Sequence, residues 1–120
     1  MTEAASRVPA YLGHILQAVQ RIRQYTDSMT AEAFCNANMV QDAVIRNIEI
    51  LGEPARNIER YHPEFAASHP EVPWEDIYLM RNRVAHGYFS IDLDIVWRTI
   101  QRDLPKLEQQ VRELKKQFGD

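Results

Sequence analysis

Apolar side chains recur at every third or fourth position along most of the chain, which is the period of a helix with one buried face. This pattern predicts a first helix from Val8 to Asp27 and a second from Met39 to about Arg60. Pro54 lies inside the second helix, and it predicts a kink near residues 50–54 because proline lacks a backbone donor and crowds the preceding turn. Between the two helices, Thr30 is placed to cap a short helical turn.

Prolines divide the middle of the chain. Three of them lie within residues 61–73, and this segment is predicted to be a loop because proline biases the preceding residue away from helix. Pro73 suits the first turn of a third helix, and Gly87 suits a left-handed cap at its end. A third helix is therefore predicted between these two residues.

The last stretch has the helical period again, from a cap predicted at Ser90 to Phe118. Pro105 interrupts it, and Asp103 could cap a restarted helix, so a bend and two helices in series are both compatible with the pattern. No segment alternates as a strand would. The fold expected for residues 1–120 is a single all-α domain, an antiparallel bundle of four principal helices.

Composition narrows the classes of function. Hydrophobic residues make up 45% and charged residues 26%, and no apolar run has the length that crosses a bilayer. The start of the chain does not resemble a signal peptide, so a cytoplasmic setting is expected. The single cysteine, Cys35, is expected to be a small buried or half-buried residue without a disulfide or thiolate metal site. A net charge of −3 argues against a broad positively charged surface that binds duplex nucleic acid. Any contact with nucleic acid should therefore be local.

The richest chemistry lies in residues 81–88, with the sequence Arg-Asn-Arg-Val-Ala-His-Gly-Tyr. An arginine fork matches two phosphate oxygens, and a histidine exchanges a proton near neutral pH. These groups could handle a phosphodiester without a metal. On a regular helix, however, Arg81 and His86 point about 140° apart, whereas Asn82 and His86 share a face.

Two arrangements could bring Arg81 and His86 together. Gly87 could allow the helix to unwind at His86, or a symmetric dimer could supply the two groups from two copies of the chain. The end of a helix would also favour the protonated imidazolium and so provide a general acid. The alternative to a catalytic site is that these are ordinary exposed residues near a helix end.

Arg81, Asn82 and His86 resemble the Arg-polar-x-x-x-His motif of the HEPN superfamily, and with Tyr88 they resemble the Arg-x4-His-x-Tyr form of HepT-type ribonuclease toxins. The similarity extends over most of the chain. One departure is Pro54, where the family more often has a small helix-forming residue. The supporting segments are residues 46–53, 74–80 and 91–97.

This resemblance implies a metal-independent endoribonuclease that needs no cofactor and works as a homodimer with the two motifs facing each other in a cleft. It implies that Arg81 clamps the phosphate and the transition state, that Asn82 supports it by hydrogen bonding, and that His86 transfers a proton. The substrate would be RNA, whose own 2′-hydroxyl is the nucleophile.

The resemblance also implies a regulator. In HepT-type toxins, an MNT-type nucleotidyltransferase antitoxin adds AMP to the motif tyrosine, which here is Tyr88. A nucleotide two residues from His86 would place negative charge and bulk where the RNA phosphate must bind. The alternative for Tyr88 is a structural role, with its phenol packed against the bundle.

Two other functions fit the sequence: a non-catalytic module that binds a nucleotide or a nucleotidyltransferase partner, and a plain oligomerisation bundle. The paired carboxylates of Glu49 and Glu53 more simply form a solvated helix face. His14 is expected to be a surface or boundary residue, and His62 and His69 are expected to be structural or solvated. The tryptophans Trp74 and Trp97 are expected to be core residues or dimer anchors.

Overall fold

The computed structural model describes residues 2–86 and 92–119, with side chains described at 7–80 and 92–119. Helices joined by short turns account for nearly all of these residues, and the described ranges contain no strand. Within the same ranges, no helix has the length and apolarity needed to cross a membrane. The helices are α1 (Thr2–Tyr25), α2 (Ala31–Cys35), α3 (Asn38–Tyr61), α4 (Pro63–Ser68), α5 (Trp74–His86), α6 (Leu93–Arg98) and α7 (Leu104–Lys116), with a π-helical segment at Thr99–Asp103.

α3 is the centre of the bundle, because α1 packs on one side of it and α5 on another. The predicted period explains this position, since α3 has a long buried stripe along its length. Each fully buried aliphatic side chain contributes roughly 1.5–3 kcal/mol. The largest fully buried side chains come from α1, α2, α3 and α7 and from the turn before α5: Leu12, Ile15, Val19, Ile22, Phe34, Val44, Ile48, Leu51, Ile58, Val72 and Val111.

The long helices run antiparallel, as predicted. The ring of Tyr11, in the first half of α1, lies 6.1 Å from that of His62, just after α3. Lys115, in the last turn of α7, lies beside Gly13 in the middle of α1, whereas Glu108, earlier on α7, pairs with Arg23 in the last turn of α1. The prediction of an all-α bundle with four principal helices is confirmed.

Some predicted helix boundaries agree with the structure and others differ. Thr30 caps α2 by accepting a hydrogen bond from the Ala33 backbone N–H at 3.0 Å, as predicted. α1 begins at Thr2, earlier than the predicted Val8, because Glu3 and the alanines after it favour helix. α3 is one helix through Pro54, and the kink expected there stays a prediction.

The loop prediction for residues 61–73 is wrong in part, because this segment contains α4. Pro63 occupies the first helical turn, where a missing N–H has no cost, and Glu64 suits the positive end of the helix dipole. Ala66 is buried and Phe65 packs against the core. Tertiary packing thus makes a short helix out of a proline-rich segment.

The last helix does not restart at Pro105. α6 and α7 are joined through Thr99–Asp103, and Asp103 is helical and makes no capping hydrogen bond with its side chain. A π turn widens the backbone just before Pro105, where the ring would otherwise crowd the carbonyl four residues earlier. The cap of α6 is Asp92, whose carboxylate accepts from the Asp94 and Ile95 N–H groups. The predicted cap, Ser90, lies outside the described residues.

The prediction for Cys35 is wrong, because this thiol is exposed. Phe34 takes the core-facing position of the short α2 and is fully buried, which leaves its neighbour on the open side. The two tryptophans are core residues, as expected. Trp74 is 4% exposed, and the ring of Trp97 packs 5.4 Å from that of Phe34.

Candidate active site

α5 carries three of the four predicted site residues, and its first turn is firmly anchored. The Trp74 indole N–H donates to the His69 carbonyl at 3.1 Å, and the Ile77 backbone N–H donates to the Pro73 carbonyl at 3.0 Å. Glu75 and Asp76 lie in the first turn, where the helix dipole favours carboxylates. The backbone that leads to the motif is therefore fixed from its start.

The motif lies at the other end of the same helix. Arg81, Asn82 and His86 belong to the α5 backbone, although their side chains are outside the described residues. Tyr88 lies outside the described residues altogether. α5 remains helical through His86, so its backbone keeps the Arg81 and His86 positions about 140° apart. The first predicted arrangement, in which the helix unwinds at His86, is therefore not the one that the α5 backbone adopts.

The two sides of α5 differ in exposure. Asn82 and His86 follow Glu75 and Leu79 along one stripe of the helix, and both of these preceding residues are exposed. The position of Arg81 lies on another side.

Trp74 and Ile77 share that other side with Arg81, since they precede it by seven and four residues. They are only 4% and 6% exposed. The position of Arg81 therefore continues the stripe of the buried Trp74 and Ile77. The positions of Asn82 and His86 continue the stripe of the exposed Glu75 and Leu79, which is the open face of this helix.

A second arginine lies close to this open face. Arg56 on α3 donates through Nη1 to the Tyr78 hydroxyl on α5 at 2.8 Å, and its guanidinium carbon is 4.6 Å from the centre of the tyrosine ring. Sequence reasoning missed this pair, because the two residues are 22 positions apart and only the packing of α3 on α5 joins them. Arg60, one turn after Arg56, lines the same groove.

Two carboxylates partly neutralise the positive charge that Arg56 and Arg60 bring to this groove. Burial, and secondarily the nearby Glu75 carboxylate, raise the pKa of Glu59. Both acids line the groove beside Arg56 and Arg60. The groove therefore combines cations with carboxylates and is not a broad basic patch.

Two other groups of sequence candidates have contacts of their own on the described part of the chain. His69 faces Glu71 at 3.2 Å and packs on Phe65, which fits a structural role. Glu49 is half-buried and 3.9 Å from Arg46, and both line a shallow groove together with Glu53 and with His14 of α1. Over the described ranges, no group of three His, Cys, Asp or Glu side chains could hold a metal ion.

Comparison with known proteins gives one consistent family. The family model described as "Ribonuclease HepT-like" matches residues 15–114. A Thermococcus cleftensis protein named "Probable ribonuclease HepT" is 36% identical over 106 residues, which cover 88% of this chain and 94% of that protein. A protein of Caldanaerobacter subterraneus subsp. tengcongensis named "Putative RNase" is 36% identical over 104 residues, covering 87% and 90%.

A longer relative from Methanocaldococcus jannaschii, whose name joins a gamma-glutamylcyclotransferase to a putative RNase, is 36% identical over 107 residues. The match covers 89% of this chain but 47% of that protein, so the chain spans about half of its length. No solved structure gives a significant match to the chain. The family model alone covers most of the bundle, including all of α3 and α5, and the chain therefore belongs to the HepT-like ribonuclease family.

Proposed function

We propose that the chain is a metal-independent endoribonuclease that cleaves RNA through attack of a ribose 2′-hydroxyl on the adjacent phosphorus. The observation that carries this proposal is that the positions of Arg81, Asn82 and His86 lie together at the end of one anchored helix, with Asn82 and His86 in line with the exposed Glu75 and Leu79. Family membership supports it. We further propose that residues 1–120 act as a single domain in the cytoplasm.

In this mechanism, Arg81 binds the scissile phosphate through two parallel N–H groups and neutralises the charge that builds on the phosphorane. Asn82 adds a neutral hydrogen bond. The bond from the 2′-oxygen to phosphorus forms as the bond to the 5′-oxygen breaks, and His86 moves the proton that this exchange requires. The products are a 2′,3′-cyclic phosphate and a 5′-hydroxyl end.

We propose that two copies of the chain form the cleft. The Arg81 and His86 positions diverge by about 140° on a helix that continues through His86, so one α5 does not bring them onto one face. A two-fold axis beside the ends of the two α5 helices would let Arg81 of one copy face His86 of the other. Pairing two copies also brings more arginines to the cleft and partly offsets the net charge of −3.

RNA cleavage in the presence of a chelator tests this function. Wild-type protein should cut single-stranded RNA in EDTA, and His86→Ala should lower kcat by roughly 10²–10⁴-fold, the range for loss of a general acid or base. Arg81→Ala should lose about 10²–10³-fold or more. Both variants should keep the far-UV circular dichroism of the helical bundle. Equal cleavage by wild type and His86→Ala would overturn the assignment, and tight RNA binding without turnover would favour a non-catalytic module.

We also propose that this ribonuclease is the toxin of a toxin–antitoxin pair, and that an MNT-type nucleotidyltransferase neutralises it by adding AMP to Tyr88. An adenylyl group two residues from His86 would repel and displace the RNA phosphate. The support is the tyrosine two residues after the motif histidine, as in the family pattern.

Intact mass spectrometry tests the modification. After coexpression with the partner nucleotidyltransferase, the mass of the wild-type chain should rise in steps of one adenylyl group, and RNA cleavage should fall accordingly. Tyr88→Phe should show no rise, whereas Tyr78→Phe, a tyrosine on the described part of α5, should be modified like wild type. An unshifted wild-type mass would contradict the proposal.

A further inference from the structure

The groove between α3, α4 and α5 holds a stacked arginine–tyrosine pair that the proposed catalysis does not use. The Arg56 guanidinium lies 4.6 Å from the centre of the Tyr78 ring and donates one hydrogen bond of 2.8 Å to its hydroxyl. Both side chains are half-buried. The groove has a volume of about 690 Å³ and opens to solvent.

Most of the hydrogen-bonding capacity of Arg56 is unused by the described part of the chain. A guanidinium has five N–H donors, and one of them contacts Tyr78. No carboxylate at a described side-chain position forms an ion pair with Arg56, although arginines 23, 46 and 112 each have such a partner. A half-buried cation that is held in a fixed geometry without an acidic partner is suited to an anionic ligand.

The pair lies on the surface that leads to the motif. Tyr78 precedes Asn82 by four residues on α5, so the two positions differ by about 40° around the helix and about 6 Å along it. Arg56, on α3, lines the same groove as Tyr78. A single-stranded RNA bound at Asn82 would therefore meet Arg56 about one helical turn away.

The surrounding charges point to a single contact. Glu59 and Glu75 lie in the same groove as Arg56 and Arg60, so repulsion from the carboxylates opposes a long polyanion lying along it. One phosphate that faces the Arg56 fork avoids this cost. The planar guanidinium beside an aromatic ring is also a common contact for unpaired nucleotides.

We propose that Arg56 binds a backbone phosphate of single-stranded RNA close to the scissile bond, and that Tyr78 is the positioning residue that holds its guanidinium. This subsite rests on the proposed ribonuclease function, because the ligand is the substrate of that same site. Its contribution is to substrate binding and register, and the bond-breaking step does not involve it.

Salt dependence of RNA binding is the sharpest test. A fluorescein-labelled single-stranded RNA 12-mer is titrated with His86→Ala protein, and log Kd is plotted against log salt concentration. Adding Arg56→Gln should raise Kd several-fold and reduce the magnitude of the slope by about 0.7, the value for loss of one phosphate contact on a single strand. Arg56→Lys keeps the charge and should preserve most of the slope.

Arg102→Gln is the matched control, since Arg102 is exposed on the π-helical segment outside the groove and its loss changes the net charge equally. It should leave the slope unchanged. In a catalytically intact background, Arg56→Gln and Tyr78→Phe should raise KM for RNA, with kcat within about two-fold of wild type, the signature of lost uniform binding. If Arg56→Gln proves unfolded by thermal melting, the KM of Tyr78→Phe serves for the same comparison.

The outcomes separate the two proposals. If wild type cleaves RNA but Arg56→Gln matches Arg102→Gln in slope and KM, the subsite is overturned and the ribonuclease function stands. If wild type neither binds nor cleaves RNA, both are overturned. A change in melting temperature with an unaltered salt slope would reduce the pair to a structural link between α3 and α5.

Discussion

Asn47 is a buried polar residue whose side chain is only partly satisfied. It is 4% exposed, and its amide group donates to the Ala43 carbonyl at 2.9 Å, while its Oδ1 finds no hydrogen-bond partner in the described structure. A buried acceptor without a partner costs about 1–3 kcal/mol. Asn47 should therefore contribute far less to stability than its burial suggests.

Comparison of neighbouring alanine substitutions checks this expectation. Asn47→Ala should leave the free energy of unfolding within about 1 kcal/mol of wild type, because relief of the unpaired oxygen offsets lost packing. Ile48→Ala, at a position that is 1% exposed, should cost about 2–5 kcal/mol. Urea unfolding measures both, and equal losses would show that Asn47 has a partner outside the described residues.

At the scale of single residues, the protonation of Glu59 also makes the stability of the fold depend on pH. Its pKa is raised by burial and by the Glu75 carboxylate, so the ionised form is disfavoured in the folded chain. For a group with a raised folded-state pKa, the favourable contribution is complete below the unfolded pKa and is lost as pH rises through the folded pKa. Glu59 should therefore oppose folding near neutral pH.

Glu59→Gln should raise the free energy of unfolding near pH 7 by a few tenths of a kcal/mol, roughly the scale of an exposed charge pair. The gain should disappear below the ordinary range of a glutamate. Glu75→Gln should give part of the same gain, and the double variant should gain less than the sum. Thermal melts from pH 3.5 to 8 measure this, and a gain that is constant over the whole range would contradict the assignment.

At the scale of helices, Glu108 joins the first and last long elements. It is buried on α7, pairs with Arg23 on α1, and accepts from Arg112 Nη2 at 2.7 Å one turn along α7. Both arginines are about half exposed. The pairing fixes the register of α1 against α7 while leaving the cations able to return to water.

Glu108→Gln should lower the free energy of unfolding by about 1–2 kcal/mol, since two charge-assisted hydrogen bonds weaken and the exposed arginines recover part of the loss in solvent. Glu113→Gln is the control, because its carboxylate meets Lys116 at 3.6 Å on an exposed face. It should change stability by less than about 0.5 kcal/mol. Equal effects of the two substitutions in urea unfolding would contradict a specific role for Glu108.

Helical period was sufficient to predict most of α1 and α3 and the antiparallel bundle, because each of these two helices has a long buried stripe. The start of α5 was predictable from Pro73. α4 was missed because local proline signals outweighed the packing of Phe65 and Ala66. The π segment before Pro105 was missed because the same residues fit a bend or a restart equally well. The Arg56–Tyr78 pair could not be predicted, since it exists only after α3 and α5 have packed.

At the scale of the whole molecule, the proposed chemistry depends on where the helix-end motif lies in the bundle. α5 holds the Arg81 and His86 positions about 140° apart, and the Asn82 and His86 positions continue the helix stripe of the exposed Glu75 and Leu79. The sequence motif and its family were predictable from the residues alone, and the family is confirmed. That a second copy of the chain completes the site stays a prediction.

Mixing two inactive variants tests the shared cleft. If Arg81 of one copy acts with His86 of the other, mixed dimers of Arg81→Ala and His86→Ala contain one intact site. Random reassociation should then restore about a quarter of wild-type activity, because half of the dimers are mixed and each has half of its sites intact. Sites formed within one chain would show no recovery, and analytical ultracentrifugation checks that the dimers exchange.

The most direct test of the account is cleavage of an RNA oligonucleotide in EDTA, compared with the same oligonucleotide carrying a single 2′-deoxyribose on the 5′ side of the cut bond. The wild-type protein should cut the first to a 2′,3′-cyclic phosphate and a 5′-hydroxyl and should leave the substituted bond intact, because its nucleophile is missing. Cleavage at the 2′-deoxy position, or loss of all cleavage in EDTA, would contradict the account.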